Sequence, residues 1–274
     1  MWIKKRAPTM DGSEAARDRL WMNHMLQLLV GQDLRQRFTA NLLGAAWTVL
    51  APLLQLLVFA VVFVHVFKAR VPGLDEGGYV VFLALGMWPW FAFSEAVARG
   101  ASALIDGAGL LAKVAVSTWD VVAARVIAAF IVHGAGFLLV VVVLALWKGN
   151  VALTWLPLAL PSWIGMFVFA LALAQIGAIC TVFARDTQQI LGYLLMAWMF
   201  MSPILYDASL LTGMFGTWSQ VNPMSSLING VRGPLLWQDA STALPWPGLL
   251  AAAVALLLAW AMSRRFRPYL REFL

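Results

Sequence analysis

The stretch QDLRQRFTANLLGAAW, Gln32 to Trp47, sets the reading of the whole chain. An aspartate and two arginines, Arg35 and Arg37, stand directly in front of a long apolar run. Charged side chains are comfortable at headgroup depth and costly farther in, so the run behind them marks the entry to a membrane crossing. Composition agrees. Of 274 residues 62% are hydrophobic and 12% charged, about half the charged fraction of a soluble domain, which is roughly 25%. The expected fold class is an all-α integral membrane protein.

Upstream of that stretch, residues 17–38 place Trp21, Met25 and Leu28 on one helical face and Arg19, Asn23 and Gln27 on another. This is the pattern of an N-terminal amphipathic interfacial helix, lying along the membrane surface and loosened midway by Gly31. Residues 1–20 carry Lys4, Lys5, Arg6, Arg17 and Arg19 without the apolar core of a cleaved signal peptide. The first apolar run is therefore expected to insert as an uncleaved anchor.

Downstream, apolar runs give six candidate spans, at approximately 44–67, 79–98, 121–147, 157–183, 188–206 and 246–263. With a cytoplasmic N-terminus, 15 of the 19 Lys and Arg residues fall on the inner side. Lys68, Arg70, Lys148 and Arg232 are left outside. That asymmetry predicts six transmembrane helices with both termini in the cytoplasm. The domain organisation follows: residues 1–40 form the cytoplasmic N-terminus and interfacial helix, 41–263 the transmembrane domain, and 264–274 a basic cytoplasmic tail. The net charge of +6 then reads as topology and contact with anionic membrane lipids, with no call for nucleic acid.

Several function classes lack their chemistry. The single cysteine, Cys180, excludes an intrachain disulfide and a cysteine metal cluster, and no metal site is expected. There is no G-x-x-x-x-G-K-[ST] phosphate loop, no H-E-x-x-H and no G-x-S-x-G elbow. Ser94 or Ser102 with His133 as base would imitate an intramembrane protease, but no oxyanion donor or orienting group accompanies them. No catalytic residue is assigned. His133 and His65 are expected to be hydrogen-bonded packing residues, and Glu95, Asp120 and Arg125 to snorkel or pair near the cytoplasmic boundary. No midplane carboxylate array is present to couple transport to an ion gradient.

Five stretches carry a resemblance. LGAAWTVLAPLL (Leu43–Leu54) resembles the L-G-x-x-W-x-x-L-x-P-L signature that opens the first membrane helix of type-2 ABC exporter permeases, the transmembrane subunits that export polysaccharides such as O-antigen, capsule or teichoic acid. GMWPWFAFS (Gly86–Ser94), FARDTQQI (Phe183–Ile190), MSPILYD (Met201–Asp207) and Asn222-Pro223 follow in the matching order. One departure stands out: where such permeases commonly have a lysine followed shortly by Phe-Pro, this chain has Lys113-Val-Ala-Val-Ser-Thr-Trp.

The resemblance implies a mechanism and partners. A second copy of the chain and two separate ABC ATPase subunits would complete the transporter, with ATP and Mg bound by the ATPase and no cofactor in this chain. Coupling to the ATPase would run through the lead-in (Arg35, Arg37), through a cytoplasmic coupling helix between spans two and three within Gly100–Trp119 (Asp106, Leu110, Lys113), and through the turn at Arg185-Asp186, whose paired charges would cap adjacent helix ends. The segment between spans five and six, Asp207–Pro245, would form re-entrant outer helices. A lipid-linked polysaccharide cannot cross hydrocarbon unaided, so a conduit with aromatic faces is expected. Phe59, Phe63, Trp88, Trp90, Tyr193, Trp198 and Phe200 are its candidates. The location implied is the bacterial inner membrane. A same-fold permease for drugs or other small lipophilic substrates, or a membrane-embedded enzyme, is the alternative.

Overall fold

The computed structural model describes residues 12–39, 46–114, 116–149 and 151–273. The basic residues Lys4 to Arg6, the side chains of Arg17, Arg19, Trp21 and Asn23, and the span opening at Leu43 and Gly44 lie outside the described residues.

Among the described residues all regular structure is helical. The helices are α1 (Gly12–Thr39), α2 (Ala46–Val61), α3 (Glu76–Asp106), α4 (Ala108–Leu111), α5 (Thr118–Lys148), α6 (Leu160–Phe183), α7 (Thr187–Met201), α8 (Gly213–Val221), α9 (Pro223–Arg232) and α10 (Trp246–Phe273). Five segments are long and apolar enough to cross a membrane: Val49–Val66, Glu76–Asp106, Thr118–Lys148, Leu153–Phe183 and Ala240–Leu270. They coincide with five of the six expected spans. The sixth, expected at 188–206, is realised as α7, which has 15 residues and reaches only about 22 Å at 1.5 Å per residue. Beyond it, Ser202–Asp207 is non-helical.

The core is built on α3, which packs against α5 and α6, while α6 packs against α10. Small residues allow the closest approach. A Cβ on Gly100 would meet the Ala174 methyl at 2.5 Å, and one on Gly177 would meet that of Ala101 at 2.9 Å, so the α3 and α6 backbones touch along a seam of the kind that joins helices in lipid. Trp88 fills the gap between α3 and α5 beside Gly136 and donates through Nε1 to the His133 carbonyl at 2.9 Å.

At the far end, Asp75 caps α3 by accepting from the Gly78 N–H at 2.6 Å and pairs with Lys148 at 3.1 Å. The Gly78 N–H first, and Lys148 second, hold the Asp75 carboxyl below the usual carboxylate range. In contrast, α2 exposes Leu53, Leu54, Leu57, Val58 and Val61 and ends in a π-helical turn, Val62–Val66.

The segment Gly100–Trp119, expected to hold a coupling helix, begins inside α3, which runs on to Asp106 with Gly100, Ala101, Ala103 and Leu104 buried in helix packing. A separate single helical turn, α4, follows within it. The basic tail from residue 264 continues α10 as helix through Phe273. In α1, Leu28 is exposed, and the face that turns inward carries Leu29, Asp33 and Arg37. The expected re-entrant region contains α8 and α9, with α9 largely buried.

Candidate functional site

Two buried charge assemblies and one groove make up the candidate site. The first assembly joins α1, α3 and α5. At 1.5 Å per residue, Glu95 lies about 28 Å along α3 from Glu76, roughly one hydrocarbon thickness from the start of the helix. The residues from Glu95 to Asp106 therefore occupy the opposite membrane boundary. Here α1 brings in Asp33, whose side chain is 3% exposed. Its Oδ2 accepts from Arg37 Nε at 3.0 Å, and its Oδ1 takes Arg99 Nη2 at 2.7 Å and Arg125 Nη1 at 3.0 Å. Glu95 Oε1 takes Arg37 Nη1 at 2.7 Å, and its Oε2 meets His133 Nε2 at 2.7 Å. Asp106 accepts from Ser102 Oγ at 2.8 Å and lies 3.8 Å from Arg125. Three carboxylates and three guanidiniums balance when His133 is neutral. Such a set tolerates burial because every charge has a close counter-charge.

The second assembly forms where α7 breaks. Arg232, at the end of α9, is 1% exposed and has no carboxylate among its described partners. Nε donates to the Phe82 carbonyl at 3.0 Å, Nη1 to that of Pro203 at 2.6 Å and Nη2 to that of Ile204, while the guanidinium lies 3.6 Å over the Phe82 ring. Tyr79 donates to the Leu205 carbonyl at 2.6 Å. Asn222 donates to Ser202 Oγ at 2.9 Å and accepts from Trp198 Nε1 at 3.0 Å and from the Met224 N–H at 3.1 Å. Three successive carbonyls freed by the helix break are thus satisfied by side chains, the condition for irregular backbone at membrane depth. Gly86 is required here, because a Cβ would collide with the Arg232 guanidinium. Arg232, counted from the sequence among the charges outside the spans, is buried within the protein, where it serves the backbone of the helix break.

Between α2, α3 and α7 lies a groove of about 450 Å³, with Gln55, Ser94, Glu95 and His133 among walls otherwise formed by Ala51, Pro52, Trp90, Phe91, Leu195 and Met199. The Glu95 side chain is 36% exposed toward it. Carboxylate, amide and hydroxyl groups in an apolar cleft can hydrogen-bond a hydroxylated chain that the bilayer would reject.

The expected aromatic path divides. Phe59 on α2 and Phe63 in the π-helical turn that follows stand 6.1 Å apart, and Phe59 is 6.4 Å from Phe200 of α7, a partly exposed row at the α2–α7 edge. Tyr193 is exposed on α7. Trp88 is packed in the core at 1% exposure, Trp90 is 3% exposed and lines the groove, and Trp198 is half-buried against Trp90, Phe93 and Phe169. Among the coupling candidates, Arg37 and Asp106 belong to the ion network, Arg35 and Lys113 are exposed, and Leu110 is half-buried in α4. Arg185 and Asp186 are exposed in the α6–α7 turn. Asp186 makes no side-chain cap to α7, so the capping expected there is corrected: its backbone carbonyl, accepting from the Ile190 N–H, closes the turn.

Glu95 pairs near the membrane boundary as expected, whereas the buried positions of Asp33, Arg232 and Asn222 were not placed from the sequence. The signal for the ion network lies in the i, i+4 pairs Asp33/Arg37 and Glu95/Arg99.

The family model for the ABC-2 type transporter matches residues 24–236, which include both assemblies and the groove. The chain belongs to the ABC-2 type transporter family. Among relatives of this ABC-2 chain, the O-antigen export system permease protein RfbA of Myxococcus xanthus is 31% identical over 252 residues, covering 91% of this chain and 94% of the relative. The protein of the same name from Klebsiella pneumoniae is 25% identical, covering 78% and 79%. The polysialic acid transport protein KpsM of Escherichia coli is 22% identical, covering 84% of each.

Proposed function

We propose that this ABC-2 chain is the membrane subunit of an ATP-driven exporter that moves a lipid-linked polysaccharide from the cytoplasm across the bacterial inner membrane. The observation that carries the reading is the polar groove between α2 and α7, in a family whose relatives are named for O-antigen and polysialic acid transport. The sequence holds no phosphate loop, so hydrolysis belongs to a separate ATPase that binds ATP and Mg. Two copies of the chain and two ATPase subunits form the transporter. The α2 and α7 edges of the two copies enclose the path, with Phe59, Phe63, Tyr193 and Phe200 as sliding faces and Glu95 as a hydrogen-bonding group.

In this reading α7 supplies the sixth crossing, completed by the bend at Ser202–Asp207, and both termini are cytoplasmic. The α1–α3–α5 ion network and α4 receive the ATPase stroke. Two measurements test the proposal. The chain, purified from cells that carry its neighbouring ATPase, should bring down that ATPase and stimulate its hydrolysis. In a Cys180→Ser background, cysteines at Asp75 and Gln220 should react with an impermeant thiol reagent from outside, and cysteines at Asp106 and Arg265 should not. Outside labelling of Asp106 would overturn the topology, and export that is unchanged by Glu95→Ala together with Phe59→Leu would remove the groove from the path.

A further inference from the structure

A second cavity, of about 690 Å³, lies away from the groove, between the α4–α5 connection and the last turns of α10. Among the described residues its charged lining is Lys113, Arg264 and Arg267, all cations, with no aspartate or glutamate. None of the three enters an ion pair among the described residues. The Arg264 guanidinium rests 4.3 Å over the Trp260 ring, which orients the cation and leaves its N–H edge available to an acceptor. The floor is the opposite in character, with Ser263 and Leu270 buried and the apolar side chains of Val116 and Trp119 along the wall.

Position supplies the rest of the argument. Trp260 is half-exposed at the end of an α10 face that also exposes Leu250, Val254, Leu257 and Leu258. A continuous apolar track therefore runs along the outside of the helix and stops at the cations. A free anion has no use for such a track, whereas a phospholipid uses both parts: its acyl chain lies along the leucines and its phosphate meets the cations. The chemistry of the cavity and its approach agree on one occupant.

We propose that this cleft is a binding site for the phosphate headgroup of an anionic membrane phospholipid, held between α10 and the segment that joins α4 to α5. The assignment to the cytoplasmic leaflet rests on the topology proposed above. The binding itself does not. A lipid seated there would tie the α4 turn to α10, so the charge of the leaflet would set how firmly α4 is held.

The test uses the full chain in phosphatidylcholine nanodiscs, with retained lipid counted by native mass spectrometry as phosphatidylglycerol is titrated in. Each cation near an anionic lipid strengthens binding by about fivefold, so the Lys113→Gln/Arg264→Gln/Arg267→Gln variant should lose most of a roughly hundredfold preference for phosphatidylglycerol over phosphatidylcholine. Arg265→Gln, which lies outside the cleft, should keep the preference, and so should Arg264→Lys/Arg267→Lys. The same gel-filtration profile and melting temperature for all variants exclude misfolding as the cause. Equal preference in the triple variant and the parent would overturn the site. So would displacement of the lipid by millimolar inorganic phosphate, which would mark a soluble-anion site instead. Because the readout needs neither the ATPase nor the glycan, it can fail while the export reading stands, and the reverse is also possible.

Discussion

The chain buries charge in two places by opposite means. Where α1, α3 and α5 meet, Asp33 and Glu95 sit among Arg37, Arg99 and Arg125, each charge facing another on a different helix. At the α7 break the Arg232 guanidinium donates to backbone carbonyls and lies over the Phe82 ring, with no salt bridge among the described residues. Ion pairs between partly hydrated side chains can part and re-form at modest cost, because water replaces the lost partner. Carbonyls deep in the protein have no such substitute. The ion network is thus suited to a joint that moves, and the Arg232 assembly to a joint that does not.

The largest effect that would break this contrast is expected at Arg232. Arg232→Met leaves the Phe82, Pro203 and Ile204 carbonyls without donors, at about 1–3 kcal/mol for each buried group left unpaired. The variant should fail to accumulate or should melt far below the parent in detergent. A near-parental melting temperature would mean that the break is satisfied in some other way.

Asp33→Asn comes next. It keeps the shape but removes the charge that three guanidiniums share, and an effect of about 1–3 kcal/mol is expected, below the 3–5 kcal/mol typical of breaking a fully buried pair, because Arg99 and Arg125 are 31% and 23% exposed. The telling readout is functional: export should fall by more than the loss of stability explains. If Asp33→Asn unfolds the chain as Arg232→Met does, the two assemblies do not differ as argued.

Gly86→Ala should cost about 1–3 kcal/mol, as overpacking does, and its effect should largely vanish when combined with Arg232→Met, which removes the group it strikes. The smallest change is Tyr79→Phe, which deletes the single hydrogen bond to Leu205 and should lower stability by about 0.5–1.5 kcal/mol with export intact. Thermal melts of the purified chain rank all four variants.

How far the sequence reveals this arrangement depends on the kind of signal involved. Hydropathy locates α2, α3, α5, α6 and α10 because burial in lipid and burial in protein both demand apolar residues. It places 188–206 as a span but not the break at Ser202, since Pro203, Ile204 and Leu205 are as apolar as the helix before them. Gly100 and the alanines at 101 and 103 fall in a segment expected to hold a coupling helix and prove to be packing surface, which only a neighbour such as Ala174 reveals. Arg232 reads as an outer charge because hydropathy counts charges and does not see partners 28 and 29 residues away in the chain. Of the aromatic candidates, those on α2 and α7 keep exposed faces, while Trp88 and Trp90 are taken into the core by the same apolar character that made them candidates.

The small-residue seam between α3 and α6 has a mechanical consequence. Backbones in direct contact at Gly100, Ala101, Ala174 and Gly177 leave no slack for sliding, so these two helices behave as a stator. The sparsely packed α2 and the short α7 are the parts left to swing against it. A methyl added at Gly100 would pry the stator apart and should stall the cycle even though it touches neither glycan nor nucleotide.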